Sequence, residues 1–169
     1  HVPYGDLDAV RAAMGPDVAG IFVEPVQGEG GVIPAPPGFL PGLRALCDET
    51  GALLCLDEVQ TGIGRTGKFL GAEHDGVKGD LVALAKGLGG GFPIGALLVR
   101  EELQSTLSPG THGSTFGGNA LASVAARTVL AVLDEEKLIE GAVVKGQRLA
   151  DGLAAIAAKY PNVCAGQRG

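Results

Sequence analysis

Three charged residues each follow an apolar run of the sequence. They share this position: Glu24 after residues 19–23, Asp57 after residues 52–56, and Lys86 after residues 80–85. Short apolar runs bounded by turn-forming residues are typical of buried strands. Ligands of open α/β sheets bind beyond the carboxyl ends of the parallel strands, so we expect these side chains to line one crevice. For any one of them alone, a simple return of the chain to solvent explains the charge equally well.

Lys86 begins a segment that is almost devoid of side chains, because Gly87 and Gly89–Gly91 follow it. A lysine that attacks a carbonyl or forms an imine needs a substantial neutral fraction, which partial desolvation or a nearby cation provides. The alternative is a phosphate-binding lysine in a glycine loop. No G-x-x-x-x-G-K-[ST] pattern precedes Lys86, which disfavours the nucleotide-binding form of that alternative.

Asp57 offers the complementary charge. An acid at the end of a buried strand is unfavourable unless it meets a cation or several hydrogen-bond donors. A protonated pyridine nitrogen would satisfy Asp57, and Asp57 would in turn keep such a ring electron-withdrawing. Two residues further on, Val59 is suited to packing on the face of a ring, and Gln60 to hydrogen-bonding a ring substituent.

The elements that must position these residues follow from the periodicity. Helices are predicted at 6–14, 39–51 and 119–133, with a second long helix after the acidic residues 134–136, and residues 28–37 form a Gly/Pro loop. The predicted apolar face of the 119–133 helix consists of Leu121, Val124, Ala125, Thr128, Val129 and Val132. The predicted apolar face of the last helix consists of Leu138, Ala142, Leu149, Leu153 and Ile156.

Strand runs separated by helix-length segments indicate parallel crossovers and an α/β sheet covered on both faces. A fourth run, residues 95–99, follows the third after only residues 86–94, which is too short for a parallel crossover, so we predict an antiparallel strand. The predicted fold is therefore a three-layer α/β structure with a mostly parallel sheet and one antiparallel strand.

The composition favours a small-molecule partner. The chain has 169 residues, a net charge of −6 and 46% hydrophobic residues, so it offers no basic surface for nucleic acid or an anionic membrane. Its three cysteines form no C-x-x-C pair, which argues against a zinc site or a disulfide framework and favours a cytoplasmic setting. No apolar run reaches membrane-spanning length. The absence of an initial Met leads us to expect a piece of a longer chain.

The ordered motifs resemble class III aminotransferases of pyridoxal-5′-phosphate (PLP) fold type I. The resemblance runs from residue 19 to 133 through Glu24-Pro25-Val26-Gln27-Gly28-Glu29-Gly30-Gly31, Asp57-Glu58-Val59-Gln60-Thr61-Gly62, Ala85-Lys86-Gly87-Leu88-Gly89-Gly90-Gly91 and Thr111-His112-Gly113-Ser114-Thr115-Phe116-Gly117-Gly118-Asn119. It implies that Lys86 is the Schiff-base lysine, that Asp57 partners the pyridinium nitrogen and that Gln60 lies beside the phenolic oxygen of the cofactor. Glu29 matches a glutamate that pairs with an active-site arginine and releases it, and Ser114 and Thr115 match a segment that reaches the neighbouring subunit's cofactor phosphate.

The resemblance also implies a homodimer that transfers an amino group between a basic ω-amino donor such as N-acetylornithine and 2-oxoglutarate. Related members use ornithine, 4-aminobutyrate or succinyldiaminopimelate, and these stay open. By this resemblance, residues 1–133 form part of a PLP-binding large domain with the PLP-transferase fold. Residues 134–169 form the start of the C-terminal small domain. The family's phosphate cup, ring-covering aromatic and carboxylate-binding arginine have no counterpart here, so we expect an incomplete domain that is inactive by itself.

A different class of protein is suggested by Gly62-Ile63-Gly64-Arg65-Thr66-Gly67, which fits the G-x-G-x-x-G pattern of dinucleotide-binding modules. That fingerprint should begin at a strand end and open a helix, whereas Asp57 to Thr61 intervene here. His74 and His112 lack the i, i+4 histidines or clustered carboxylates of a metal site, so both are interpreted as surface loop residues and no metal is predicted.

Overall fold

The computed structural model describes residues 1–168. Its strands are β1 (Gly20–Val23), β2 (Val26–Gln27), β3 (Ile33–Pro34), β4 (Leu53–Asp57), β5 (Leu81–Leu84) and β6 (Ala96–Val99). Its helices are α1 (Leu7–Ala13), α2 (Phe39–Thr50), α3 (Ala120–Glu135) and α4 (Leu138–Lys159), with 3₁₀ helices at Gly71–Asp75, Lys86–Gly89 and Glu101–Leu107.

The main sheet has the spatial order β1-β4-β5-β6. Strands β1, β4 and β5 are parallel, and β6 runs antiparallel to β5. The predicted fold, a mostly parallel sheet with one antiparallel strand, is confirmed. The antiparallel pairing follows from chain length, because residues 85–95 are too few to cross back over the sheet.

Local signals set the first two helices. The side chain of Asp6 caps α1 by accepting a 2.8 Å hydrogen bond from Ala9 N. Helix α2 ends at Gly51, whose left-handed φ of 76° lets its N–H close the last turn on the Cys47 carbonyl. Both helices lie where the sequence pattern predicted them.

The hydrophobic core lies between α2 and one face of the sheet. The buried strand residues alternate, with Leu54 and Leu56 on β4 and Val82 and Leu84 on β5. They join a cluster with the buried face of α2, formed by Phe39, Leu40, Leu43, Leu46 and Cys47. Side chains at the intervening positions, including Asp57, therefore point to the opposite face.

Strand β1 is less buried than predicted. Val23 is 8% exposed, but Phe22 is 69% exposed. Phe22 is paired with Cys55 in the parallel ladder, which places it on the face opposite α2, and β1 is the edge strand of the main sheet. Within the described residues, that side of β1 therefore has no covering layer.

The predicted loop at residues 28–37 contains part of a small hairpin. Strands β2 and β3 pair antiparallel, with Val26 opposite Pro34 and Gln27 opposite Ile33. The turn between them closes when the N–H groups of Gly31 and Val32 donate to the Gly28 carbonyl, both at 3.2 Å. A ladder of two residue pairs is too short to show strand periodicity in the sequence.

Helices α3 and α4 form as predicted. Val129 of the predicted stripe of α3 packs against the core, but much of each predicted apolar stripe is exposed. The buried residues of α3 are Ala122 and Ala126, whereas Leu121 is 65% and Val124 57% exposed. Helix α3 packs against the 3₁₀ turn Lys86–Gly89, and small side chains allow that close approach. Helix α4 has no fully buried residue, and Leu149, Leu153 and Ile156 of its predicted stripe are exposed.

An ion-pair cluster fixes the start of β5. The Asp80 carboxylate accepts hydrogen bonds from Leu54 N at 2.7 Å, Arg44 Nη1 at 2.9 Å and Arg100 Nη1 at 2.6 Å. Burial by itself would raise the pKa of this carboxyl, but the Leu54 N–H and the two guanidinium groups outweigh burial and hold the pKa below its ordinary value. Asp80 thus ties α2, β4 and the residue after β6 together.

Among the described residues, no helix is long and apolar enough to cross a membrane.

Candidate active site

Asp57 is the last residue of β4 and is half-buried. Its Oδ1 accepts a 3.0 Å hydrogen bond from Val59 N, which turns the chain sharply away from the strand. Asp57 is paired with Ala83 in the neighbouring strand β5. The carboxylate therefore stands beside the path that β5 takes toward Lys86.

Lys86 follows β5 after a single intervening residue and begins the 3₁₀ turn Lys86–Gly89. Its backbone has a φ of 40°, a left-handed conformation that is uncommon for a residue with a Cβ. The turn is anchored by buried Leu88, whose N–H donates to the Ala85 carbonyl at 2.9 Å. Non-glycine residues in this conformation cost on the order of 1–3 kcal/mol and often mark functional sites, so Lys86 is held where the chain would not otherwise place it.

Gln60 connects the two strand ends. It lies in the turn after Asp57, and its Oε1 accepts a hydrogen bond from Nζ of Lys86. Both side chains are exposed to solvent. The structure therefore brings together Asp57, Gln60 and Lys86, three of the residues that the sequence singled out, with Val59 half-buried between Asp57 and Gln60.

Glu24 and Glu29 lie at the neighbouring strand end. The Glu24 carboxylate accepts a 3.1 Å hydrogen bond from Gly28 N and so holds the start of the β2–β3 hairpin turn. Gly28 in turn packs directly on Gln60. Glu29 is exposed in this turn, one residue beyond Gly28. The predicted crevice thus includes the end of β1 as well as those of β4 and β5.

Tyr4 supports this edge and was missed by the sequence analysis. Its hydroxyl donates to the carbonyl oxygens of Glu24 at 2.8 Å and Pro25 at 3.0 Å, and its ring makes an edge-on contact with Phe39, with centroids 5.4 Å apart. Burial, followed by the negative charges of Glu24 and Asp75, raises the pKa of Tyr4 to about 12. An isolated tyrosine ahead of the first helix gave no local signal of these contacts.

A cavity of about 470 Å³ opens beside these residues on the β1 side, and its lining includes Tyr4, Phe22, Glu24, Gln27 and Asp57. It does not reach Lys86. Asp57 therefore lines a partly apolar cavity, and the turn that follows it carries Gln60, the partner of Lys86.

Ser114 and Thr115 belong to a later segment of the chain. Both are exposed in the irregular segment between the 3₁₀ helix Glu101–Leu107 and α3. Among the hydrogen bonds of residues 1–168, none joins either side chain to Asp57, Gln60 or Lys86. The hydrogen-bond network at the strand ends therefore does not include the predicted phosphate-reaching pair.

The G-x-G-x-x-G segment has a packing role. Gly64 and Gly67 have φ values of 83° and 87°, and a Cβ on either would lie 2.9 Å from Ile139 or 2.6 Å from Val143 of α4. The segment leads into the 3₁₀ helix Gly71–Asp75 and not into an α-helix. The helix N-terminus that a dinucleotide phosphate requires is therefore missing from this position.

His74 contacts Thr66 through Nε2, at 3.1 Å from the carbonyl oxygen, and His112 contacts its neighbour Thr111. In the part of the chain that the structure describes, no group of three or more histidine, cysteine or acidic residues could hold a metal. Cys47, Cys55 and Cys164 are free, and burial raises the pKa of the first two thiols.

The mostly parallel sheet with surrounding helices defines an α/β domain, with an acid and a lysine at the ends of adjacent strands. Residues 4–169 match the protein family described as Aminotransferase class-III, and the chain belongs to this family.

The chain is similar to acetylornithine aminotransferase of Myxococcus xanthus, with 59% identity over 149 residues that cover 88% of this chain and 37% of the relative. It is 56% identical over 147 residues to acetylornithine aminotransferase of Methanopyrus kandleri, covering 87% of this chain and 38% of the relative. A crystal structure of Toxoplasma gondii ornithine aminotransferase with PLP at partial occupancy superposes with a TM-score of 0.87 at 46% identity, covering 91% of this chain and 37% of that one. The chain thus spans less than half the length of these relatives.

The groups at the strand ends fit PLP chemically. A carboxylate can pair with a protonated pyridine nitrogen, a primary amine can condense with an aldehyde, and an amide can hydrogen-bond a phenolic oxygen. Asp57, Lys86 and Gln60 supply these three groups from adjacent elements.

Proposed function

We propose that this chain forms part of the cofactor-binding domain of a PLP-dependent aminotransferase. Asp57 and Lys86 end adjacent parallel strands, and Gln60 from the turn after Asp57 is bonded to Nζ of Lys86. This observation supports the proposal, because a PLP ring held between these strand ends would need an acid, an amide and an amine within its reach.

When bound, PLP supplies an electron-withdrawing ring that stabilises negative charge at the substrate Cα. Lys86 would hold the cofactor through Nζ, and as a free amine it would accept and return the proton of the substrate Cα. The Gln60 amide, which is bonded to Nζ, would orient this amine and could also hydrogen-bond the phenolic oxygen of the cofactor.

The Asp57 carboxylate keeps the proton on the ring nitrogen, and Val59 packs against the ring face. Asp57 is suited to this role because its Oδ1 is fixed by Val59 N. Its two carboxylate oxygens can accept more hydrogen bonds than this single one.

The proposed donor is a basic ω-amino compound such as N-acetylornithine, and the proposed acceptor is 2-oxoglutarate. The identities of 59% and 56% to acetylornithine aminotransferases support this choice. Glu29 would pair with an arginine while the basic donor is bound and release it for the acidic acceptor. Ornithine is the second candidate donor, because an ornithine aminotransferase is 46% identical over most of this chain.

We further propose a cytoplasmic homodimer in which Ser114 and Thr115 serve the neighbouring subunit's cofactor phosphate. Their exposure, without a hydrogen bond to Lys86 of the same chain among the described residues, supports this assignment. The proposed domain boundary stays at residues 133–134, although α3 continues to Glu135 and α4 packs on Gly64 and Gly67.

The test is reduction of the PLP-loaded protein, expressed from its complete gene, with borohydride, followed by peptide mass spectrometry. We expect the phosphopyridoxyl mass on Lys86, loss of the label and of transamination in Lys86→Ala, and no change in Lys145→Ala, an exposed lysine of α4. A label on another lysine would refute the assignment. Relative kcat/KM for N-acetylornithine, ornithine, 4-aminobutyrate and succinyldiaminopimelate would then decide the donor.

A further inference from the structure

Glu58 is a buried acid that the roles proposed above do not use. It follows Asp57 directly, and only 1% of its surface is exposed. Among residues 1–168, none of the ion pairs involves Glu58. Burying a carboxylate without a cationic partner costs free energy of folding unless hydrogen bonds compensate. The hydrogen-bond donors around Glu58 therefore indicate which segments it connects.

Three donors converge on this carboxylate. Thr61 Oγ1 and Gly71 N donate to Oε2, the latter at 2.7 Å, and Ala72 N donates to Oε1 at 2.8 Å. Thr61 is 3% exposed, so the hydrogen-bond network is closed to solvent. Glu58 thus joins the first turn after β4 to a segment thirteen residues further on.

The turn that Glu58 closes is the turn that carries Gln60. The N–H of Gly62 donates to the Glu58 carbonyl at 2.8 Å, and a Cβ on Gly62 would lie only 2.7 Å from that oxygen. The backbone hydrogen bond from Gly62 to Glu58 therefore closes the turn, and the Glu58 carboxylate attaches the turn to residues 71 and 72. Gln60 lies at its centre with Oε1 on Nζ of Lys86.

The same segment also contacts the backbone beyond Lys86. Ile63, the residue after Gly62, has a φ of 57°, which is rare for a β-branched residue. A Cβ built on Gly87 would lie 3.4 Å from the Ile63 Cβ. Movement of the turn would thus disturb both the side chain and the backbone of the lysine.

We propose that Glu58 is a positioning residue for the Lys86 amine, acting through Thr61 and the turn that presents Gln60. The proposal rests on the function proposed above for Lys86. It differs from a merely structural role, in which loss of the network would loosen residues 71–72 and leave Lys86 unchanged.

The test compares Glu58→Gln and Thr61→Val with wild type, with Thr61→Ser as the variant that restores the hydroxyl. The matched control is Glu73→Gln, because Glu73 is an exposed acid of the same loop whose carboxylate accepts a 3.1 Å hydrogen bond from Leu70 N and not from Gly71 or Ala72. Thr61→Val nearly preserves the shape of the side chain and removes only the hydroxyl that donates to Glu58. This variant therefore keeps the proposal testable if Glu58→Gln fails to fold.

The first measurement is made on the cofactor-free, full-length protein. Amide hydrogen exchange reports on residues 71 and 72, and the rate of Lys86 acetylation by acetic anhydride, relative to Lys145, reports on the amine. We expect faster exchange and a several-fold change in relative Lys86 labelling for Glu58→Gln and Thr61→Val, and wild-type values for Thr61→Ser and Glu73→Gln. Faster exchange with unchanged Lys86 labelling would overturn the proposal.

The second measurement is made on the PLP-loaded protein. We expect kcat to fall about tenfold with little change in KM for the donor, which is the size expected when one hydrogen bond to a reacting group is lost. An unchanged kcat in Thr61→Val would also overturn the proposal. Borohydride labelling of wild type keeps the two proposals apart, because a label on another lysine refutes the role of Lys86 whatever the acetylation experiment shows.

Discussion

Gly28 and Gln60 are in direct contact, and a Cβ built on Gly28 would lie 2.8 Å from Cγ of Gln60. We predict that Gly28→Ala displaces Gln60 from Nζ of Lys86, because two carbon atoms that are not bonded to each other cannot lie that close together. The expected result is a several-fold loss of kcat, up to about tenfold, with little loss of stability. Steady-state kinetics and a thermal melt of the full-length protein measure both quantities.

The control for this substitution is Gly146→Ala. Gly146 lies within α4, and no atom is within 4 Å of its added Cβ. Because alanine favours helix over glycine by about 0.5–1 kcal/mol, this variant should be slightly stabilised and fully active. Equal activity of the two variants would contradict the steric argument.

Asp57→Asn should retain the fold and lose most of the activity. An amide retains the shape of Asp57 but cannot hold a proton on a ring nitrogen electrostatically. We expect kcat to fall by about a hundredfold or more, the usual cost of removing one such electrostatic group. Kinetics and far-UV circular dichroism would check this, with Asp8→Asn in the exposed first turn of α1 as the control. Near-wild-type turnover would remove Asp57 from its proposed role.

Asp80 should make stability depend on acidic pH. Its folded pKa is lowered from the ordinary 3.8, so its contribution is present above pH 3.8 and is lost as the pH falls below that value through the folded pKa. We expect Asp80→Asn to be destabilised by about 3 kcal/mol at pH 7, since the partly buried Arg44 loses its buried carboxylate partner and retains the exposed Asp48. The difference in melting temperature between variant and wild type should shrink at pH 3. A difference that is constant from pH 7 to pH 3 would contradict this account.

Tyr4 should have the opposite dependence, at alkaline pH. Its pKa is raised from 10.0 to about 12, so the neutral hydroxyl stabilises the fold fully below pH 10 and progressively less up to about pH 12. We expect Tyr4→Phe to cost about 1 kcal/mol at pH 7, because the carbonyls of Glu24 and Pro25 lose their donor. In a difference titration at 295 nm against this variant, the Tyr4 step should have its midpoint near 12, and a midpoint near 10 would be inconsistent with the buried contacts.

The 169-residue chain alone should not transaminate at a useful rate. It spans 37% of its Myxococcus xanthus relative, and from the resemblance we expect the family's phosphate cup and carboxylate-binding arginine to lie outside these 169 residues. The measurement is a coupled assay with N-acetylornithine, 2-oxoglutarate and excess PLP, beside the protein from the complete gene, with circular dichroism to establish that the chain is folded. Turnover within tenfold of the complete protein would contradict the prediction.

The sequence by itself determined the strand ends and the residues that follow them. Asp57 and Lys86 follow apolar runs whose length and composition dictate buried strands, and the short connection before β6 dictates an antiparallel pair. These signals are local, because alternation and connection length are properties of contiguous residues. Because β4 and β5 are parallel neighbours, these local signals also bring the strand ends at Asp57 and Lys86 next to each other.

Only the tertiary structure decided the contacts between distant segments. The partners of Glu58 lie thirteen and fourteen residues away, those of Asp80 twenty to thirty-six, and Tyr4 reaches Glu24. The buried face of α3 was chosen by the close approach of the Lys86–Gly89 turn, which selected Ala122 and Ala126 over the larger Leu121 and Val124. Which residues become buried or hydrogen-bonded in these cases depends on the surfaces that pack together in the folded chain. Neither the periodicity nor the residue types of one segment predict these long-range contacts.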